Sequence, residues 1–216
     1  YLAPVLNWAK RRDLVIGDFN LEKPLQQAPR RRVLTEIELS ALLPTFKNHH
    51  GVCAMFMLYT AARLTETTAA TWAQIDLEAK TWTIPPENLK DTRALQARRH
   101  KPKQALVIPL SRQAIELLLE ARRAEIARRQ LNGLAEKLIG QDLLFVGPRG
   151  AKLGNWDRWL KTKTAKTRIT GWSAHALRRT TATLAGNLGA PPHIVSVILG
   201  HSNVGGQLVA GYNHSA

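Results

Sequence analysis

The sequence predicts a mainly helical α+β domain with a small antiparallel sheet at one edge. Three observations support this prediction. Several segments repeat apolar residues at helical spacing, and two of them begin at a Ser or Thr cap. Two short runs rich in β-branched residues, TWTIP (81–85) and ALVIPL (105–110), are typical of strands. Apolar residues make up 44% of the 216 residues, which is enough for a sizeable core and excludes a disordered chain.

The first 32 residues differ in character from the rest of the chain. VLNWAKRRDLVIGDF predicts a short amphipathic helix, and NLEKPLQQAPRRR is polar and contains proline, as linkers do. We therefore expect residues 1–32 to be the end of a domain that lies mostly upstream, together with a linker. Residues 33–216 are expected to form one compact domain.

The compact domain is predicted to open with helices. Thr35 caps the first one, and Glu38 three residues later completes a capping box. The next helix, about residues 51–62, is apolar on all sides, which predicts a position in the core. The following segment, RLTETTAATWAQIDL, is expected to continue as a helix and to end near Asp76.

The two strand segments predict a hairpin with an unusually long connection. This connection, residues 86–104, carries six Lys and Arg residues against two acids, and loops of this length are usually functional or disordered. Beyond the hairpin, Ser111 caps a helix, and residues 143–147 predict a short strand or extended segment. NWDRWLKTKTAK predicts a basic amphipathic helix. Two last helices are expected in SAHALRRTTATLAGNLGA and PPHIVSVILGH, the second of them ending at Gly200.

The charge balance indicates a polyanionic partner. Lys and Arg outnumber Asp and Glu by 31 to 16, which gives a formal net charge of +15. Nucleic acid is the usual partner of such a chain, because a basic surface releases counterions condensed on the phosphates. A membrane surface is the weaker alternative, since the sequence has no lipidation signal and no stretch of about 18 apolar residues.

The N-terminal residues and the single cysteine indicate the compartment. Charged residues appear by position 10, so we expect no signal peptide. Cys53 has no partner for an internal disulfide, and its apolar surroundings predict a buried, inert thiol. Both observations favour a reducing cytoplasm.

Two pairs of charged residues have helical spacing. His175 and Arg178 share a helix face because they are three residues apart, whereas Arg179 points about 100° away from Arg178. Arg63 and Glu66 have the same spacing, and a neighbouring carboxylate can hold a guanidinium in place. A structural salt bridge explains this second pair equally well, and a satisfied core histidine explains His175 taken alone.

The histidines also allow a metal site to be considered. His175, His193 and His201 are possible zinc ligands, but no cysteine or well-placed carboxylate completes a set of three or four. We therefore expect no metal and no other cofactor.

Five motifs together resemble one protein family. TAARLTE, SAHALRRT, LGHS and GYNH occur in the order and spacing of the tyrosine recombinases, in particular the phage-type and genomic-island integrases. DLEAKTWTIPPENLK followed by VIPLS is similar to the β-hairpin of that family. The resemblance covers residues 33–216 and implies the tyrosine-recombinase (DNA breaking–rejoining) catalytic fold. It also implies that residues 1–32 are the end of the family's core-binding domain.

The resemblance implies a role for each matching residue. The two catalytic arginines fall on Arg63 and Arg178, with Glu66 supporting the first of them. The first histidine falls on His175 and the position occupied by histidine or tryptophan on His201. The nucleophile falls on Tyr212. The hairpin lysine falls on Lys90, with Lys101 and Lys103 as alternatives. In this interpretation Arg178 stabilises the transition state rather than the fold.

The implied activity is the cleavage and rejoining of DNA through a 3′-phosphotyrosyl intermediate, which integrates or excises a phage or genomic island. The implied partners are double-stranded DNA attachment sites, further copies of the chain in a tetramer, and DNA-bending accessory proteins. A type IB topoisomerase-like enzyme and a non-catalytic DNA-binding protein with the same fold are the alternatives. Residues expected to contact DNA are Arg98, Arg99, Lys101, Lys103 and Arg179.

Overall fold

The computed structural model describes residues 3–14, 32–89, 104–135 and 137–200. The chain divides into two compact units, Tyr1–Arg31 and Arg32–Ala216. In the first unit, helix α1 (Ala3–Lys10) is followed by a turn in which the Arg12 guanidinium lies 4.3 Å from the centre of the Trp8 ring. The predicted N-terminal helix is therefore present and ends at Lys10.

The second unit is mainly helical with one small sheet, which confirms the predicted fold class. Strands β1 (Ile75–Asp76), β2 (Thr81–Ile84) and β3 (Leu106–Pro109) form an antiparallel sheet in that order. None of the helices among the described residues is long and apolar enough to cross a membrane. The described helices are α2 (Glu36–Leu42), α3 (His49–Thr60), α4 (Leu64–Thr68), α5 (Arg112–Leu131), α6 (Trp156–Thr167), α7 (Ala174–Asn187) and α8 (Pro192–Ile198).

The predicted helix caps are confirmed. The Thr35 hydroxyl accepts a hydrogen bond from the Glu38 backbone N–H at 3.2 Å, and the Glu38 carboxylate accepts one from the Thr35 N–H at 2.9 Å. Ser111 caps α5 by accepting a hydrogen bond from the Ala114 N–H at 3.2 Å. Each cap supplies an acceptor for a backbone donor that the first helical turn leaves unpaired.

The prediction of one helix through RLTETTAATWAQIDL is wrong. Helix α4 ends at Thr68, residues Trp72–Gln74 form a single 3₁₀ turn, and Ile75 opens the edge strand β1 opposite Trp82. The segment is rich in β-branched threonine, which favours helices weakly, and the sheet offers Ile75 a partner strand. Residues 143–147 contain only isolated bridges, from Leu143 to Thr71 and from Val146 to Lys152.

Helix α3 lies between two hydrophobic clusters, as its all-round apolar sequence predicts. On one side Phe56 packs against Trp82 of β2, with 5.3 Å between the ring centres. On the other side Ala54 belongs to the cluster that contains Trp159 of α6 and Leu177 of α7. Cys53 of α3 is fully buried, as predicted, and burial raises the pKa of its thiol well above the usual range.

A glycine at the start of α3 sets how closely the preceding turn approaches. A Cβ atom at Gly51 would lie 2.4 Å from the carbonyl carbon of Phe46. We expect Gly51→Ala to lower the free energy of unfolding by at least about 2 kcal/mol, because the helix or the turn must move. Urea-induced unfolding measures this loss.

Gly186 provides the matched control, because it is helical and exposed and nothing lies within 4 Å of its Cβ position. Gly186→Ala is expected to stay within about 1 kcal/mol of the wild-type stability or to exceed it. Equal losses in the two variants would contradict the close approach at Gly51.

Candidate active site

Arg63 is positioned by the short helix that it begins. It is the N-cap residue of α4, and its backbone N–H donates to Glu66 Oε2 at 2.8 Å. The other carboxylate oxygen of Glu66 accepts from Arg63 Nη1 at 2.6 Å. The Glu66 side chain is completely buried, whereas 26% of the Arg63 side chain is exposed. One carboxylate therefore caps the helix and also fixes the guanidinium, and no other acceptor in the described part of the chain binds that guanidinium.

Arg178 is held between the ends of two helices. It lies on α7 and is only 3% exposed. Its Nη1 donates to the carbonyl oxygen of Ala61 at 2.5 Å, and its Nη2 donates to that of Leu199. Ala61 ends α3 in the left-handed conformation, two residues before Arg63, and Leu199 ends α8. Arg178 thus supplies hydrogen-bond donors to carbonyls that helix ends leave unpaired.

Burial and a nearby like charge disfavour the charged form of Arg178. Burial, the larger cause, together with the charge of Arg63 lowers the pKa of the Arg178 guanidinium to about 10, and Glu66 acts in the opposite direction. Arg63 and Arg178 are therefore close enough to repel each other. A negatively charged ligand between them relieves that repulsion.

Arg63, His175 and Arg178 line one pocket of about 260 Å³. His175 is exposed at the start of α7, whose first turn is capped by Ser173 through a hydrogen bond from the Ala176 N–H. The fold thus brings Arg63 to His175 and Arg178, more than a hundred positions further along the sequence. The remaining residues at the α3–α4 and α7 sides of the pocket are Met57, Ala62, Leu64, Ser173 and Ala174.

The third wall of the pocket comes from the first two turns of α6 and was not predicted. Trp156, Asp157 and Leu160 form it. Trp156 and Asp157 also line a more open depression of about 560 Å³, which Arg158 and Lys161 share. The basic amphipathic pattern of α6 was a signal for a charged surface there, but it did not indicate a place beside Arg63 and Arg178.

Several predicted site residues lie outside the described residues. They comprise the hairpin and loop residues Lys90, Arg98, Arg99, Lys101 and Lys103, and the C-terminal residues His201 and Tyr212. Arg179 is described and half-buried, and it is not among the residues that line the pocket. In the part of the chain that the structure describes, no three His, Cys, Asp or Glu side chains come together as metal ligands.

Comparison with known families decides the classification. The model of the phage integrase family matches residues 32–216. The chain belongs to the phage integrase family. It is therefore a site-specific recombinase of the tyrosine type, as the five sequence motifs indicate.

Solved structures similar to this family member share its fold at low sequence identity. The Tn1549 transposon integrase in complex with circular intermediate DNA is 18% identical, with 100% of this chain and 72% of that chain covered and a TM-score of 0.61. XerA recombinase is 19% identical, with 100% of this chain and 70% of that chain covered and a TM-score of 0.60. A lambda integrase tetramer bound to a Holliday junction is 14% identical, with 95% of this chain and 57% of that chain covered and a TM-score of 0.62. No curated protein matches the sequence significantly.

The backbone contacts of Arg178 change the expectation for its replacement. Lys keeps the charge but lacks the planar fork that reaches both the Ala61 and Leu199 carbonyls. We expect Arg178→Lys to lower the free energy of unfolding by about 1–3 kcal/mol, because a buried carbonyl loses its donor. Urea-induced unfolding of the variant measures the change.

Arg123→Lys, at an exposed position of α5, is the matched control and is expected to stay within about 0.5 kcal/mol of wild type. If Arg178→Lys is as stable as the wild-type chain, then the two carbonyl contacts contribute nothing to the fold.

Proposed function

We propose that this integrase family member cuts and rejoins DNA strands through a 3′-phosphotyrosyl intermediate, and that it integrates or excises a phage or genomic island. The observation that carries the proposal is the meeting of Arg63, His175 and Arg178 in one pocket. Two guanidinium groups beside an imidazole suit a reaction at a phosphodiester, which is anionic and needs proton transfer at its ester oxygens.

The proposed reaction exchanges one phosphate ester for another. The Tyr212 oxygen forms a bond to the scissile phosphorus while the bond from phosphorus to the 5′-oxygen breaks. His175 is the candidate base for the tyrosine proton, because a tyrosine hydroxyl with a pKa of about 10 is mostly protonated at neutral pH. Lys90 donates a proton to the leaving 5′-oxygen. The 5′-hydroxyl of a second DNA strand then attacks the phosphotyrosine and releases Tyr212, so no cofactor is required.

The two arginines stabilise the charge that builds up during this exchange. Negative charge grows on the non-bridging oxygens as the phosphorus becomes pentacoordinate, and a planar guanidinium donates to such oxygens with a fixed geometry. Glu66 supports Arg63 by holding its Nη1 at 2.6 Å. His201 is proposed to donate a further hydrogen bond to the scissile phosphate.

The net charge of +15 supports a DNA substrate bound mainly through its phosphates. We propose that double-stranded attachment sites are the substrate and that four copies of the chain assemble on them, as lambda integrase does on a Holliday junction. Residues 1–32 are then the end of a core-binding domain, and DNA-bending proteins assist assembly in the cytoplasm of the host. Proposed DNA contacts are Arg98, Arg99, Lys101, Lys103 and Arg179.

The nucleophile is tested by trapping the covalent intermediate on a nicked suicide substrate. Tyr212→Phe is expected to abolish the protein–DNA adduct and to leave DNA affinity within about twofold, because only one hydroxyl is lost. Gel analysis of the adduct and a binding titration measure the two effects.

Tyr59→Phe is the control, because Tyr59 is an exposed tyrosine of α3. This variant is expected to form the adduct as the wild-type chain does. An adduct that persists in Tyr212→Phe, or that maps to Tyr59, contradicts the assignment of the nucleophile.

The general acid is tested with DNA whose bridging 5′-oxygen is replaced by sulfur. Lys90→Ala is expected to slow cleavage of ordinary DNA by about 100-fold or more, as for a lost general acid. The sulfur substrate is expected to restore most of the rate, because a thiolate leaves without protonation. Single-turnover cleavage of both substrates provides the measurement.

Lys101→Ala and Lys103→Ala are the controls, and each is expected to weaken DNA binding modestly without a rescue by sulfur. If the sulfur substrate restores cleavage by Lys103→Ala and not by Lys90→Ala, then the general acid is Lys103, at the other end of the hairpin connection.

A further inference from the structure

The proposed reaction assigns no role to the exposed basic residues of α6. Arg158 and Lys161 are three residues apart on this helix and therefore share one face. Both side chains line the open depression of about 560 Å³. A solvated surface is the expectation for such residues taken alone, because Lys and Arg are mostly exposed in folded proteins.

The depression adjoins the pocket that Arg63 and Arg178 line. Trp156 and Asp157 line both the pocket and the depression. Each DNA strand carries one phosphate for about every 3.4 Å of helix axis. A strand whose scissile phosphate occupies the pocket therefore brings another phosphate close beside it, where the depression offers two cations.

The charged side chains of the depression have no partners among the described residues. Asp157 and Lys161 are four residues apart with the acid first, which is the spacing that favours an ion pair on a helix. Neither of these side chains nor that of Arg158 forms an ion pair or hydrogen bond within the described ranges. On α5, by contrast, Arg112 and Glu116 lie 3.6 Å apart at the same spacing, although both are largely exposed. The two cations of the depression are therefore available to an anionic ligand.

We infer that Arg158 and Lys161 bind the phosphate next to the scissile phosphate on the cleaved strand. The inference rests on the proposed function of the neighbouring pocket. A guanidinium and an ammonium both donate charge-assisted hydrogen bonds to phosphate oxygens. A second phosphate held beside the pocket fixes the direction in which the strand crosses it. The contact forms when DNA binds and stays the same in the transition state, so it contributes to affinity and not to the rate of cleavage.

Asp157 reduces the positive charge of the depression. Its carboxylate leaves the three charged side chains there with a single net positive charge. A phosphate bound in the depression is repelled by this carboxylate. We therefore expect Asp157→Asn to bind DNA more tightly, by about twofold or more. A base amino group in the depression has the opposite effect, because it donates a hydrogen bond to a carboxylate.

The test combines altered protein with altered DNA in a binding titration. A methylphosphonate linkage replaces one charged phosphate oxygen by a methyl group, and it is placed on either side of the scissile phosphate in turn. In the wild-type chain, one of the two placements is expected to weaken binding by about threefold or more. In the double variant Arg158→Ala, Lys161→Ala, the same placement is expected to change affinity by less than about 1.5-fold, because the groups that met the charge are gone.

Three further measurements on the double variant separate a binding role from a structural one. The slope of log affinity against log salt concentration is expected to fall by about 2, as for two lost phosphate contacts. The rate of cleavage of a saturating suicide substrate is expected to stay within about threefold of wild type. The thermal midpoint is expected to stay unchanged, because both side chains are exposed.

The matched control is the double variant Arg123→Ala, Lys166→Ala. It also removes two exposed cations, one on α5 and one on α6, and neither residue lines the pocket or the depression. This variant is expected to lose as much affinity as the wild-type chain does when the methylphosphonate is introduced.

Three outcomes overturn the inference. They are the same response to methylphosphonate at both placements in the wild-type chain and the Arg158, Lys161 double variant, an equally reduced response in the control variant, and weaker DNA binding by Asp157→Asn. Adduct formation by the wild-type chain is measured on the same suicide substrate. Its absence contradicts the proposed function, whereas normal adducts without the expected loss of the methylphosphonate effect contradict only the role of Arg158 and Lys161.

Discussion

The site depends on the hydrogen bonds of one buried guanidinium. Arg178 joins the end of α3, through the Ala61 carbonyl, to the end of α8, through the Leu199 carbonyl. Thr181, one turn along α7, strengthens the first junction by donating to the Leu58 carbonyl at 2.6 Å. Because Ala61 is followed by the turn that carries Arg63, these contacts fix the separation of the two arginines. A charge that burial disfavours is thus retained where the backbone supplies acceptors for it.

The end of α8 meets the sheet as well as Arg178. Gly200 has a φ of +57°, and a Cβ atom there would lie 2.8 Å from the Leu106 side chain of β3. The left-handed conformation therefore favours glycine at this position, whereas Leu106 Cδ2 is the far end of a side chain that can shift. Strand β3 follows the basic hairpin connection. Its Leu106 side chain approaches Gly200 at the end of α8, and the hydrogen bond from Arg178 to the Leu199 carbonyl joins that end to α7.

Sequence patterns were sufficient where the determining interaction is local. The Thr35–Glu38 box, the Ser111 cap and the all-round apolar helix α3 follow from spacing alone, and the structure confirms them. The segment after Arg63 was not predictable in this way. Its threonines and Ile75 are compatible with a weak helix, and the pairing of Ile75 with Trp82 decided for a strand. A cross-strand partner is invisible to a local pattern.

The sequence by itself determined the family through its five motifs. It also placed Glu66 beside Arg63 and His175 beside Arg178, because the two residues of each pair lie within one helical turn. Only the tertiary structure decided that Arg63, His175 and Arg178 line one pocket and that Arg178 also binds two helix ends. It likewise placed Trp156 of α6 in the wall of that pocket. The physical reason is that these features arise where α3 packs against α6 and α7, and those contacts join residues 111 to 123 positions apart in the sequence.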